Sequence, residues 1–176
     1  MFRSVYIGLG SNRRSRAGDS RATLTAALCA LDRLPFVRVE RVSAAYRTAP
    51  VGPPQPPYVN AAAMLRTSLP PEALLAGLLA IERSFGRQRS REARWGPRTL
   101  DLDFLLDGES VLARPGLAVP HPRLPERAFV LEPLAEIAPQ VPVPSTGRSI
   151  RSLLVALDPA ARAGVRRLGP LRRLDA

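Results

Sequence analysis

Apolar residues at positions 5–9 run as a strand and stop at the turn-forming Gly10-Ser11-Asn12. Leu24, Leu28 and Leu31 then recur at helical spacing, behind Asp19 or Ser20 as caps for the first turn and ahead of Pro35 as the stop. Val37 and Val39 alternate as a strand. Val42, Ala44 and Tyr46 resume the alternation after a one-residue slip, which predicts a bulge. Residues 58–67 read as the next strand, and Leu74, Leu78, Ile81 and Phe85 as the apolar stripe of a helix begun at Pro70-Pro71 and ended at Gly86. Residues 99–106 form a further strand, with Asp107-Gly108 as a hairpin turn into residues 109–113. The order βαββαβ plus a hairpin strand predicts an α+β fold: a ferredoxin-like antiparallel sheet with helices on one face and the other face left for ligands. Residues 125–138 look helical but are interrupted by Pro133, and residues 149–157 form a short final helix. Residues 1–158 are therefore expected to form one domain, and residues 159–176 a loosely packed Arg/Ala-rich C-terminal extension.

Composition narrows the chemistry. The net charge is +11, and every cationic side chain is an arginine, because the 176 residues include no lysine. This excludes a P-loop lysine, a kinase phosphate lysine and Schiff-base catalysis. One histidine and one cysteine cannot build the usual zinc sites, so a bound metal has to rely on carboxylates, which favours a hard cation such as magnesium. Cys29, set among alanines and leucines, reads as a small buried helix residue. No apolar run reaches the roughly 20 residues needed to span a bilayer, and no signal-peptide pattern opens the sequence. A cytoplasmic protein is expected.

Strand alternation puts Asp101 and Asp103 on one face and Leu100, Leu102 and Phe104 on the other, with the two carboxylates able to converge on a metal or simply to face water. Just upstream, residues 86–98 hold Arg87, Arg89, Arg91, Arg94 and Arg98 together with Trp95. Guanidinium forks suit phosphate oxygens, whether of a nucleotide or of a nucleic-acid backbone. The proline-rich residues 47–57 deliver Tyr58 and Asn60 to one strand face, where a flat heteroaromatic can stack on the ring while the amide reads its polar edge. His121, between Pro120 and Pro122 and near Arg123, Arg127 and Phe129, suits a phosphate contact and a packing role equally. A nucleic-acid module and a magnesium-dependent nuclease remain as rivals at this point. The first leaves the Asp pair unexplained and the second needs no ring-binding aromatic.

Taken together, four segments resemble the hydroxymethyldihydropterin pyrophosphokinase family: Tyr6-Ile7-Gly8-Leu9-Gly10-Ser11-Asn12, Tyr46-Arg47-Thr48-Ala49-Pro50-Val51-Gly52, Gln55-Pro56-Pro57-Tyr58-Val59-Asn60 and Trp95-Gly96-Pro97-Arg98-Thr99-Leu100-Asp101-Leu102-Asp103. The resemblance continues through Pro120-His121-Pro122-Arg123 and Arg127-Ala128-Phe129. It implies Mg-dependent transfer of pyrophosphate from ATP to 6-hydroxymethyl-7,8-dihydropterin, with release of AMP, in folate biosynthesis. By the same matching, Asp101 and Asp103 bind two Mg ions and act in catalysis with Arg87 and Arg98. Glu82, Arg87, Arg89, Trp95, Arg98, His121 and Arg127 meet ATP. Thr48, Tyr58, Asn60, Trp95 and Phe129 bind the pterin. The implied partners are small molecules, with no nucleic acid and no membrane, and a monomer is expected. A lysine that some relatives carry in the arginine-rich loop is replaced here by the neighbourhood of Ser90 and Arg91, and the tail after Asp158 has no counterpart in the pattern.

Overall fold

The computed structural model describes residues 1–50, 53–88, 96–144 and 146–171. The first half of the chain contributes β1 (Arg3–Ser11), α1 (Ser20–Asp32), β2 (Val37–Val42), β3 (Ala44–Thr48), β4 (Tyr58–Thr67) and α2 (Pro71–Ser84). The second contributes β5 (Asp101–Asp107), β6 (Leu112–Arg114), β7 (Leu117–Val119), α3 (Ala128–Ile137), β8 (Pro142–Val143), β9 (Arg148–Ser149), α4 (Ile150–Ala156), α5 (Pro159–Ala163) and β10 (Val165–Pro170). A single 3-10 turn, Leu124–Glu126, precedes α3. No described helix is long and apolar enough to cross a membrane.

Six strands form the main sheet in the order β10-β3-β4-β1-β5, with β2 also on β4. All pairings are antiparallel. β2 and β3 behave as one strand broken at Ser43: β2 meets the far half of β4 and β3 meets Tyr58, Val59 and Asn60. The expected slip is present, as a register shift between Val39 and Arg41. Counting β2 and β3 as one, the βαββαβ order yields the ferredoxin-like sheet, with β1 at its centre between β4 and β5.

Alternation on these strands sends residues into two cores. Val5, Ile7, Leu9, Ala63, Leu65, Leu100, Leu102 and Phe104 pack under α1 and α2. Asp19 accepts from the Ala22 amide as the α1 cap, and Pro71 opens α2, where a missing amide hydrogen costs nothing. The opposite face is only partly free. Tyr6, Ala62, Leu105 and Leu106 pack there against Leu131, Leu134, Ile150 and Leu153 of α3 and α4, so ligand space survives only at the strand ends carrying Gly10, Asn60 and Asp101.

Three expectations are corrected. Helix α3 runs through Pro133 without ending. The proline removes one internal hydrogen bond, but Val130, Leu131, Leu134 and Ile137 on either side are buried, and that packing holds the helix across the gap. The turn at Asp107-Gly108 does not make a hairpin with β5. Instead β6 pairs with β7 around Gly116, whose φ of 77° suits glycine alone. Residues 159–170 of the tail are not loose, because β10 adds to the sheet beside β3.

Leu65 is fully buried on the central sheet, whereas Val155 is 67% exposed. Leu65→Ala should destabilise the protein by about 3 kcal/mol, with Val155→Ala near zero, as measured by urea unfolding.

Candidate active site

The site is floored by glycine. On β1, Gly10 lies opposite Asn60 of β4 on one side and Asp101 of β5 on the other, and Gly8 lies opposite Asp103. A Cβ at Gly10 would come within 3.1 Å of the Asn60 Oδ1 and 3.8 Å of the Asp101 Cβ. Glycine there keeps the floor low between the amide and the carboxylate.

The two aspartates sit in unlike surroundings. Asp101 receives Arg98 Nη1 at 2.5 Å on one oxygen and Arg87 Nη1 on the other. Arg87 is buried and also bonds Glu82 at 2.7 Å and the Leu100 carbonyl at 3.3 Å. Glu82, only 1% exposed, also accepts the Leu102 amide at 2.8 Å. The chain Glu82, Arg87, Asp101, Arg98 therefore locks the end of α2 to the start of β5. Burial works against charge on Asp101, but the guanidiniums of Arg87 and Arg98 outweigh it and hold that carboxyl below the usual range.

Asp103 has no such support. Its carboxylate accepts no hydrogen bond from a described residue, and Arg127 Nη1 stands 4.0 Å away. Burial first, then the neighbouring Asp101 charge, raises its pKa to about 7. The side chain is still 32% exposed, so its proton exchanges with solvent from the cavity. Arg98 holds a further buried donor, Nε, with no partner among the described residues.

A cavity of about 590 Å³ joins these groups to the ring-binding candidates. Asp101 and Asp103 line it from β5, with Arg98 and Arg127, and Thr48, Tyr58 and Asn60 line it from β3 and β4 across β1; Phe129, beside Arg127, completes the lining. Asn60 Nδ2 donates to Thr48 Oγ1 at 2.8 Å, which leaves the amide oxygen as its free acceptor. Tyr58 is anchored through its hydroxyl to the Gly96 carbonyl at 3.1 Å. The Arg127 guanidinium lies 5.5 Å from the centroid of the Phe129 ring.

Other sequence candidates fall elsewhere. Glu82 and Arg87 lie beneath the cavity and do not line it. His121 also lies off the cavity wall; its Nδ1 accepts the Arg123 amide, and burial followed by the Arg127 charge lowers its pKa. Arg89 and Trp95 lie outside the described residues.

Sequence reasoning missed several participants. Asn12 accepts the Arg98 amide at 2.7 Å and donates to Gln55 at 2.9 Å and the Pro56 carbonyl at 3.0 Å, tying Arg98 to the proline-rich loop. Its place at the end of a strand, after Gly10-Ser11, was the available signal. Glu126, Ala161, Gly164 and Val165 also line the cavity, and nothing in their local sequence marked them.

Two carboxylates suit a magnesium ion only if a substrate completes its shell, since no cluster of three or more acidic, His or Cys ligands exists among the described residues. The donor set meets that condition: Asp103 lacks hydrogen-bond donors, and arginines stand ready for phosphate oxygens.

Comparison with known proteins agrees with this geometry. The solved structure of wild-type Plasmodium falciparum HPPK-DHPS superposes with a TM-score of 0.67 at 13% identity, covering 88% of this chain, a likeness that speaks for the fold. This chain spans 44% of the length of that protein. Proteins named 2-amino-4-hydroxy-6-hydroxymethyldihydropteridine pyrophosphokinase are much more similar in sequence. The one from Pseudomonas aeruginosa is 48% identical over 89% of this chain and 93% of its own length. That from Synechocystis is 44% identical over 88% of this chain and 76% of its own length, and that from Bacillus subtilis 46% identical over 78% and 79%. The 7,8-dihydro-6-hydroxymethylpterin-pyrophosphokinase family model matches residues 6–139, a stretch that includes the glycine floor, the aspartate pair and Phe129, and the chain belongs to that family.

Proposed function

We propose that this protein transfers the pyrophosphoryl group of ATP to the hydroxymethyl oxygen of 6-hydroxymethyl-7,8-dihydropterin, releasing AMP, as a step of folate biosynthesis. The observation that carries this reading is one cavity lined by arginine-flanked carboxylates from β5, by the Thr48–Asn60 pair and Tyr58 from β3 and β4, and by Phe129 beside Arg127. On this reading the enzyme acts in the cytoplasm as a monomer on small molecules alone, without nucleic acid or membrane.

Tyr58 and Phe129 flank the flat ring, and the free Asn60 oxygen accepts from its N–H edge. Arg127 and the part-exposed guanidinium of Arg98, both lining the cavity, donate to the phosphate oxygens. Magnesium, two ions on our reading, would be held by Asp101 and Asp103 and would supply positive charge to the bridging phosphate oxygens and the attacking hydroxyl. The hydroxymethyl oxygen bonds to the β-phosphorus as the bond to the α-phosphate oxygen breaks and AMP leaves; the hydroxyl proton passes to solvent. Arg87 serves through Asp101, which it and Glu82 hold in place. His121 stands near Arg127 and Arg123, where a phosphate chain can extend. Catalysis is then mostly positioning and electrostatics, with no covalent enzyme intermediate.

Incubation with ATP, Mg and hydroxymethyldihydropterin should release AMP in equal amount to pterin pyrophosphate, and ATP turnover without pterin dependence would refute the reading. Asp103→Ala should lower kcat by more than about a thousandfold, and Arg98→Ala by about a hundred- to a thousandfold, with far-UV circular dichroism unchanged.

The elevated pKa of Asp103 sets a direction with pH. Below about 7 the free protein holds a proton there that magnesium has to displace, so affinity for Mg-nucleotide should rise from about pH 6 to about pH 8, at most about tenfold per unit for one released proton. Calorimetry in buffers of different ionisation enthalpy should record that proton; Asp103→Asn should abolish the dependence.

A further inference from the structure

Residues 159–170 are held in place from three sides. On β3, Val165 pairs with Thr48, Arg166 with Arg47 and Arg167 with Tyr46. On α3, Glu136 accepts both the Tyr46 hydroxyl at 2.6 Å and Arg167 Nη2 at 3.2 Å, so one carboxylate ties the paired strands together. On α1, Arg21 donates to the carbonyls of Leu168 and Pro170 at 3.2 and 2.7 Å. Leu171 is buried in the core under α1 and α2. A register shift between Arg167 and Gly169, where Gly169 has φ 102°, lets the strand finish against β3 after its bulge.

We propose that β10 is a substrate-positioning element that forms the outer wall of the pterin end of the cavity and fixes the Thr48–Asn60 pair. The inference rests on the activity proposed above. Thr48 is the last residue of β3 and is followed by a proline-rich segment, so its hold on the sheet comes from the strands on either side. Its strand meets β4 at only three residue pairs, Tyr46, Arg47 and Thr48. Directly opposite pairs share a face, and Val165 and Thr48 both line the cavity. A one-residue slip of β10 would turn Val165 away and leave Thr48 without its neighbour. Thr48 in turn holds the Asn60 amide at 2.8 Å, which orients the oxygen left for the ring.

The rest of the wall is made of small residues, Ala161 and Gly164. A Cβ at Gly164 would meet nothing closer than the Ala161 carbonyl at 3.9 Å, and Gly164 has an ordinary φ of −75°. A larger side chain there is therefore tolerated by the fold and occupies space beside the cavity.

The test compares Val165→Ala and Gly164→Leu with the wild-type full chain in steady-state kinetics and in direct titration of hydroxymethylpterin followed by its fluorescence. Both variants should raise the pterin KM and the pterin Kd at least about fivefold, with the ATP KM within about twofold and the melting temperature within a few degrees. A merely structural strand would instead lower active fraction and melting temperature and leave both KM values together. If Val165→Ala melts early, Gly164→Leu, which leaves β10 unchanged, is judged alone by the same split. Unchanged pterin binding in folded Val165 and Gly164 variants overturns the proposal. Should the wild type release no AMP, the activity reading fails by itself, and the fluorescence titration still decides the wall: equal pterin affinity in wild type and variants refutes it.

Discussion

Two aspartates share one strand face, and two guanidiniums are committed to only one of them. Everything chemical in the cavity follows from that imbalance. With Arg87 and Arg98 on its two oxygens, Asp101 stays ionised despite burial, and its charge then raises the cost of ionising Asp103 beside it. Asp101 is a fixed charge; Asp103 is the group whose state responds to whatever enters. The buried Glu82 gives Arg87 a second carboxylate, so this arginine is held by both rather than drawn wholly to Asp101. Such a buried chain of charges adds little net stability against an apolar equivalent but costs heavily when one member is removed, so its worth lies in fixing position.

The sheet determines where this chemistry can happen. β1 runs through the middle, and its even-numbered residues face the same way as Asp101, Asp103 and Asn60. At Tyr6 that face is covered by α3 and α4; at Gly8 and Gly10 it carries no side chain. One strand thus supplies a packed core at one end and a bare floor at the other. Asn12, just past the end of β1, binds the Arg98 backbone and the proline-rich loop, joining the anion-facing end to the ring-facing end by a buried amide.

Much of this was legible from residue pattern, for reasons that are local. Alternation about Leu100, Leu102 and Phe104 is a property of one strand, and it placed Asp101 and Asp103 on the cavity side without knowledge of the neighbours. The helical spacing of Leu24, Leu28 and Leu31 and the slip between Val39 and Val42 are likewise short-range. What stayed hidden depends on distant partners. Pro133 is a helix breaker by its own chemistry, and only the packing around it explains why α3 continues. Asp107-Gly108 has good hairpin residues, yet β6 finds β7 because Gly116 supplies a tighter return. The burial of Glu82 follows from Arg87 and the Leu102 amide, which come from other segments. The resemblance to a known family brought Glu82, Arg87 and His121 forward as ATP contacts; none of them is among the residues lining the cavity that holds Asp101 and Asp103.

The pairing of β10 with β3 carries a consequence for how the molecule is assembled. Strands β1 to β5 and both helices over their first core precede Val165 in the chain, so a nascent polypeptide can bury all of that core except Leu171 and the flanking Leu168 while the far wall of its pocket is still being translated. Joining residues so far apart in sequence is entropically slow, and it follows rather than guides collapse of the sheet. Most of the core and the far wall of the pocket are therefore supplied by separate stretches of the chain, the wall last.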